Sequence, residues 1–277
     1  MTFGVYLAVI VGLVLLVCIW MVLRKAYRKS IYRRPFKAEW LSILSNNVPL
    51  YSLLPEELKP KLHGHINFFL HDKIFVGRGG QVIDDDIRLT VAGNACLLVL
   101  NQEKRIFPGF KTIIIYPDTY VAKTVRREGL TEVHHQSTRA GESWHRGPIV
   151  LSWGDVLSGS KDVTSGFNVV LHEFAHKLDE EDTVMDGLPI LHEAAHYAQW
   201  AAVLSKEYEA FLTRVQQGDN KVIDAYGAES PIEFFAVVTE SFFEKSLIMH
   251  EKLPDLYFQF KQFYQLDPAE WHRRSNT

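Results

Sequence analysis

Two stretches of the chain carry histidines and a carboxylate at the spacing of a metal site: His172, Glu173 and His176 in LHEFAHKLD, and His192, Glu193 and His196 in LHEAAH. On a helix, residues i and i+4 project from one face about one turn apart. Two imidazoles can then share a metal while the glutamate at i+1 reaches a water beside it. Both copies meet this spacing, and so would any helix that merely shows two histidines to solvent. The faces behind the histidines separate the two. Phe167, Val170, Leu171, Phe174 and Leu178 back the first copy, a bulky stripe suited to holding a helix against a sheet. Ala194, Ala195, Ala198 and Ala201 back the second, and Trp200 follows His196 by one turn on the ligand side. Pro189 is expected to start that second helix, which leaves His192 in a loosely held first turn. The first copy is therefore the expected site.

A catalytic zinc takes three protein ligands and keeps a fourth position open. The only cysteines are Cys18 and Cys96, the former inside an apolar run, so a disulfide framework and a cysteine zinc site are both excluded. The third ligand must be a histidine or a carboxylate. Glu233 is the candidate, on an apolar helix expected to begin at Pro231. The same glutamate completes a Ser230-x-x-Glu233 capping box, in which it would bond backbone amides instead; the residues alone leave both readings open. Asp179 and Glu240 are candidates for orienting the ligands, or else solvated helix acids.

Around these residues the expected elements are short helices in Trp40 to Leu53, a helix over Lys61 to Leu70, a strand at Lys73 to Val76 and a helix from Asp84 to Leu100. The β-branched TIIIY, Thr112 to Tyr116, predicts a buried strand, with Tyr120 to Thr124 as its partner. Arg126 to Arg146, which holds His134, His135 and His145, reads as a polar loop or hairpin, GPIVLSW as a strand, Asp155 to Gly166 as a connection, and Phe167 to Tyr264 as mainly helical. FVGRGGQ lacks the Lys-Ser/Thr of a phosphate loop and predicts a tight turn. Strands before helices point to α+β, mainly helical with a small mixed sheet, without alternating βαβ units.

The N-terminus sets a second boundary. Phe3 to Leu23 carries no charge, and as a helix would be roughly 30 Å long, the thickness of a bilayer core. It ends in large apolar residues and not in a small-residue cleavage site, so an uncleaved transmembrane helix is expected. Arg24, Lys25, Arg28, Lys29, Arg33 and Arg34 follow, which by the positive-inside rule keeps the body in the cytoplasm. The remaining chain carries 24 basic against 33 acidic groups. That acidic balance argues against nucleic-acid binding and leaves the basic cluster to anionic headgroups or to topology alone. The expected organisation is an anchor over 1–23, a basic juxtamembrane segment over 24–35, and a body over 36–277, with an N-terminal part 36–146, a catalytic part 147–268 and a tail 269–277.

HEFAHKLD, then DAYGAESPIEFFAVVTESFFE (Asp224 to Glu244), then FYQLDP (Phe263 to Pro268), with RAGESWHRGPIVLSW upstream, are long motifs in a fixed order. From about Arg34 to Pro268 they resemble the Mlc titration factor A family of zinc metallopeptidases. The resemblance implies a zincin-like fold in which His172, His176 and Glu233 hold one Zn2+ per chain and Glu173 is the general base. It aligns the zinc motif with the first copy and leaves His192 and His196 in a variable segment. Tyr226 stands seven residues before Glu233, a spacing similar to that of the tyrosine and glutamate ligand in the catalytic domain of anthrax lethal factor, which the family resembles; it is implied as the oxyanion donor. The strand at Ile149 to Trp153 would pair with substrate backbone at a sheet edge. The implied activity is peptide hydrolysis, as an aminopeptidase at the bacterial inner membrane. The alternative is sequestration of a transcription repressor, as founding members bind Mlc. Those members are soluble, so the anchor is a departure.

Overall fold

The computed structural model describes residues 2–102, 106–118, 120–128, 131–139, 141–143, 147–218 and 221–275, and of 120–143 the backbone alone. Helix α1 (Thr2–Tyr32) runs without a break through the apolar stretch and the basic cluster. Its part Ile10–Tyr32 is long and apolar enough to cross a membrane, and side chains such as Leu13, Leu16, Trp20 and Leu23 are exposed. Its last turns pack on α4 (Lys59–Asp72), after the short helices α2 (Ala38–Asn47) and α3 (Pro49–Leu53).

Strand β1 (Ile74–Gly77) leads through the FVGRGGQ turn into α5 (Asp85–Leu98) and then β2 (Thr112–Tyr116). Gly79 and Gly80 take φ of 62° and 84°, the left-handed region that a side chain resists, and Gln81 N donates to Arg78 O. Asp84 caps α5 by accepting from Ile87 N at 2.9 Å. Because β1 and β2 are parallel and α5 crosses between them, this part is a βαβ unit, contrary to the sequence expectation. Physically, α5 is apolar nearly all round, buried from Leu89 to Leu98, and so must lie between layers.

The sheet order is β1-β2-β6-β5, with β6 (Ile149–Ser152) parallel to β2 and β5 (Gly141–Ser143) antiparallel to β6. The expected partner of β2 is thereby corrected: Tyr120 to Thr124 lies in β3 (Tyr120–Glu128), which pairs with β4 (Thr131–Arg139) in a hairpin of its own. Of the histidines in that stretch, His134 and His135 are described by their backbone in β4, and His145 lies outside the described residues. Strand β6 is interior, flanked on both sides over Ile149 to Leu151, so it offers no edge to a substrate. Helix α6 (Trp153–Lys161) replaces the expected polar connection, started by the Ser152 cap.

The helical half comprises α7 (Val169–Asp179), α8 (Tyr197–Gln216), α9 (Pro231–Glu244), α10 (Ser246–Lys252), α11 (Pro254–Tyr264) and α12 (Pro268–Ser275). Phe174 on α7 is buried among Phe69, Phe107 and Phe110. Val170, Leu171 and Leu178 are buried as the stripe predicts, but Phe167 is 47% exposed, because it precedes the helix and falls off that stripe. Phe235 and Phe242 on α9 pack with Phe260, and Phe242 also stacks on Tyr264. Such pairs add about 0.5–1.5 kcal/mol each beyond burial. Two well-fastened helices, α7 and α9, thus face each other across the site.

Candidate metal centre

Asn168 starts α7: its Oδ1 accepts from Val170 N and Leu171 N, each at 3.2 Å. The helix then carries His172, Glu173 and His176 toward α9, where Ser230 Oγ accepts from Glu233 N at 3.2 Å. That is half of the capping box. The Glu233 carboxylate turns the other way, with Oε2 at 3.0 Å from His172 Nε2 and 3.3 Å from His176 Nε2. The two Nε2 atoms are themselves 3.1 Å apart. Gly187, at φ 81°, lets the chain after α7 pass close to α9, since a Cβ there would lie 2.6 Å from Pro231 O.

Three ligand atoms at mutual distances of 3.0 to 3.3 Å are close to the edges of a tetrahedron around zinc, which bonds of about 2.0–2.1 Å place about 3.3 Å apart. Glu240 Oε1 sits 2.8 Å from His172 Nδ1, so Nδ1 is the protonated nitrogen and Nε2 presents its lone pair to the cluster. Burial opposes a charge on His172, yet the hydrogen-bonded Glu233 and Glu240 outweigh it and raise its pKa well above the ordinary value. Burial likewise opposes charge on Glu233, and its bonds to His172 and His176 overcome this and depress its pKa. The field favours a cation at this point, whether a second proton on His172 or a metal ion in its place. His172, His176 and Glu233 therefore fit a metal in both geometry and charge.

The remaining predicted residues distribute unequally around this cluster. Glu173 is 5% exposed on α7. Tyr226, in a 3₁₀ turn (Ala225–Ala228) started by Asp224, has its ring 5.8 Å from that of His172 and is 48% exposed. Asp179 is fully buried, accepts from Gly187 N at 3.0 Å, and burial raises its pKa to about 6. Among the described residues the second HExxH copy brings no metal-binding cluster together. His192 lies in a bend ahead of the 3₁₀ turn Ala194–His196 and its Nε2 meets Phe263 O at 3.0 Å, while His196 Nε2 lies 3.7 Å from Glu193. The helix starts at Tyr197, not at Pro189, and Trp200 belongs to the core, stacked on Phe260 at 5.4 Å.

A model of the glucose-regulated metallo-peptidase M90 family matches residues 23–265 of this chain, a span that contains every residue of the centre. The chain belongs to that family. A relative in Synechocystis, an uncharacterised protein, is 36% identical over 242 residues, 87% of this chain and 88% of that one. Mlc titration factor A of Escherichia coli is 34% identical over 245 residues, 86% of this chain and 89% of that protein. As an M90 metallopeptidase the chain is a hydrolase of peptide bonds by family, and the family implies a metal.

Sequence reasoning missed Asn168 and Glu244. Asn168 N donates to Glu240 Oε2, and Asn168 Nδ2 donates to Glu244 Oε1 at 3.0 Å and to Asn94 Oδ1 at 3.1 Å. One asparagine thus caps the histidine helix and grips Glu240 and Glu244, two of the three acids of α9. Burial, reinforced by the neighbouring Glu240 charge, raises the Glu244 pKa well above its ordinary value, and burial raises that of Glu240 as well. The N-cap position of Asn168 was readable from NVVLHEF; its bonds across 72 and 76 residues were not. Removal of a carboxylate behind a ligating histidine typically costs about 10–100-fold in metal affinity. Glu240→Ala is expected to lose zinc affinity within that range, as read by competition with a chromophoric chelator, while retaining helical content by circular dichroism.

Proposed function

We propose that this chain is a membrane-anchored, zinc-dependent peptidase with its body in the cytoplasm, acting as an aminopeptidase through a zincin-like site. The observation that carries the reading is the convergence of His172 Nε2, His176 Nε2 and Glu233 Oε2, all within 4.8 Å of one another. In this reading the three hold one zinc, which would supply Lewis acidity and lower the pKa of a bound water. Glu173, one residue along α7 from His172, takes the proton of the attacking water and hands it to the leaving amine. Tyr226, exposed beside His172, donates to the oxyanion. Asp179 and Glu240 orient the histidines. The substrate backbone pairs with β5, the antiparallel edge that flanks β6 and lies against α7. Residues 1–23 are the anchor, 24–35 the juxtamembrane segment and 36–277 the peptidase body.

The test is hydrolysis of short peptides by the full chain in detergent micelles. Cleavage should stop with a zinc chelator and return with added zinc, and an N-acetylated peptide should resist. Equal cleavage of the acetylated peptide would remove the aminopeptidase assignment, and inactivity of the zinc-loaded chain on every peptide would remove the peptidase one. A second reading follows from the relative named Mlc titration factor A: this chain binds a transcription repressor. Its signature is repressor capture that survives Glu173→Gln.

A further inference from the structure

Where α1 leaves its apolar stretch, the structure holds a cavity of about 310 Å³ between α1, α4 and the segment leading into β2. Its polar lining is mainly cationic. Arg24 and Arg28 come from α1, and Lys111 comes from a point 83 residues later than Arg28. The one carboxylate of the lining, Asp72, is already engaged by Lys111 and by Lys73, the latter at 3.0 Å. Lys73 is buried and its Nζ also donates to Phe107 O at 2.6 Å and Phe110 O at 2.8 Å, which fixes the wall that carries Lys111. Arg28 lies over the Phe68 ring at 4.8 Å, and Tyr27 Oη is 3.5 Å from His71 Nε2, so the arginine side and the α4 side are tied together.

The height of this cavity on α1 decides its ligand. Leu23 ends the uncharged run, and Arg28 stands five residues on, about 8 Å along the axis. A bilayer's headgroup layer is roughly 5–8 Å deep on each side of the hydrocarbon. Trp20, exposed and with Arg24 at 5.0 Å from its ring, lies where interfacial tryptophans gather. We infer that the cavity lined by Arg24, Arg28 and Lys111 binds the phosphodiester headgroup of an anionic phospholipid. Guanidinium forks suit phosphate oxygens, and Ile31, Phe68 and Ile106 give the cavity an apolar wall for the glycerol end. The bound lipid would fasten the peptidase body to α1 at one orientation. The inference rests on the membrane reading above.

Lys111 makes the test specific, because a lysine so far from α1 in sequence has no part in setting topology. The full chain is reconstituted into vesicles of phosphatidylcholine containing about one part in five phosphatidylglycerol, checked for co-flotation, and then extracted for native mass spectrometry to count retained phosphatidylglycerol. Wild type should float and retain one molecule. Lys111→Gln should float equally and retain about fivefold less, and Lys111→Arg should restore retention. Failure of wild type to float would overturn the membrane reading and the lipid site with it. Flotation with equal retention by wild type and Lys111→Gln would overturn the lipid site alone. Binding of inorganic phosphate by the detergent-solubilised chain, with the same dependence on Lys111 and in competition with the lipid, would reassign the cavity to free phosphate.

Discussion

Glu173→Gln is expected to keep one zinc per chain and lose about 10²–10⁴-fold in kcat, the usual contribution of a positioned general base. The side chain is 5% exposed and sits one residue from His172, so it is close to the centre without supplying any of the three converging ligand atoms. Glutamine is nearly isosteric and keeps the hydrogen-bonding shape, so α7 and its histidines should stay in place. Steady-state hydrolysis of an unblocked peptide, with zinc measured on the same sample, checks both halves. Tyr226→Phe should lose about 10²–10³-fold in kcat through the missing donor, again with zinc retained. Full activity in Glu173→Gln would take the base role away from Glu173.

Glu233→Ala is expected to act in the opposite way, emptying the centre before any chemistry is reached. It leaves two imidazoles, and it removes the carboxylate that makes this point attractive to a cation. The competing assignment, a helix cap, predicts something different. Ser230→Ala removes the cap at Glu233 N and should cost about 1 kcal/mol of stability with zinc unchanged. A ligand at Glu233 predicts loss of zinc and of the metal's stabilisation, which is about 4 kcal/mol when free zinc stands at about 1,000 times Kd. Thermal unfolding with and without chelator separates the two: chelation should lower the melting temperature of wild type and Ser230→Ala, and leave Glu233→Ala where it was.

The two helices that face each other at the centre were readable because each carries a strong local signal. α7 has an apolar stripe at helical period, and α9 has Ser230, Pro231 and four phenylalanines. What misled was alanine. The run around LHEAAH has the spacing of a metal helix, but small side chains cannot anchor it, and it begins as a bend and a 3₁₀ turn before Tyr197. The spacing puts Trp200 one turn beyond His196 on the ligand side, whereas its indole is taken up by Phe260 and Phe263 of α11. Sheet partners failed for a related reason: TIIIY announces a buried strand but says nothing of its neighbours. Both are parallel strands, β1 reached through α5 and β6 lying beyond the β3–β4 hairpin. The Asn168 network was invisible because its partners come from a helix more than seventy residues away.

We propose that the metal is held by His172, His176 and Glu233, with no ligand from the second histidine motif. Zinc per chain, by elemental analysis of the purified full chain, tests it directly on wild type, His176→Ala and His196→Ala. Wild type should carry one zinc, His196→Ala one, and His176→Ala close to none. Loss of zinc from His196→Ala in a folded protein, or its retention by His176→Ala, would contradict it.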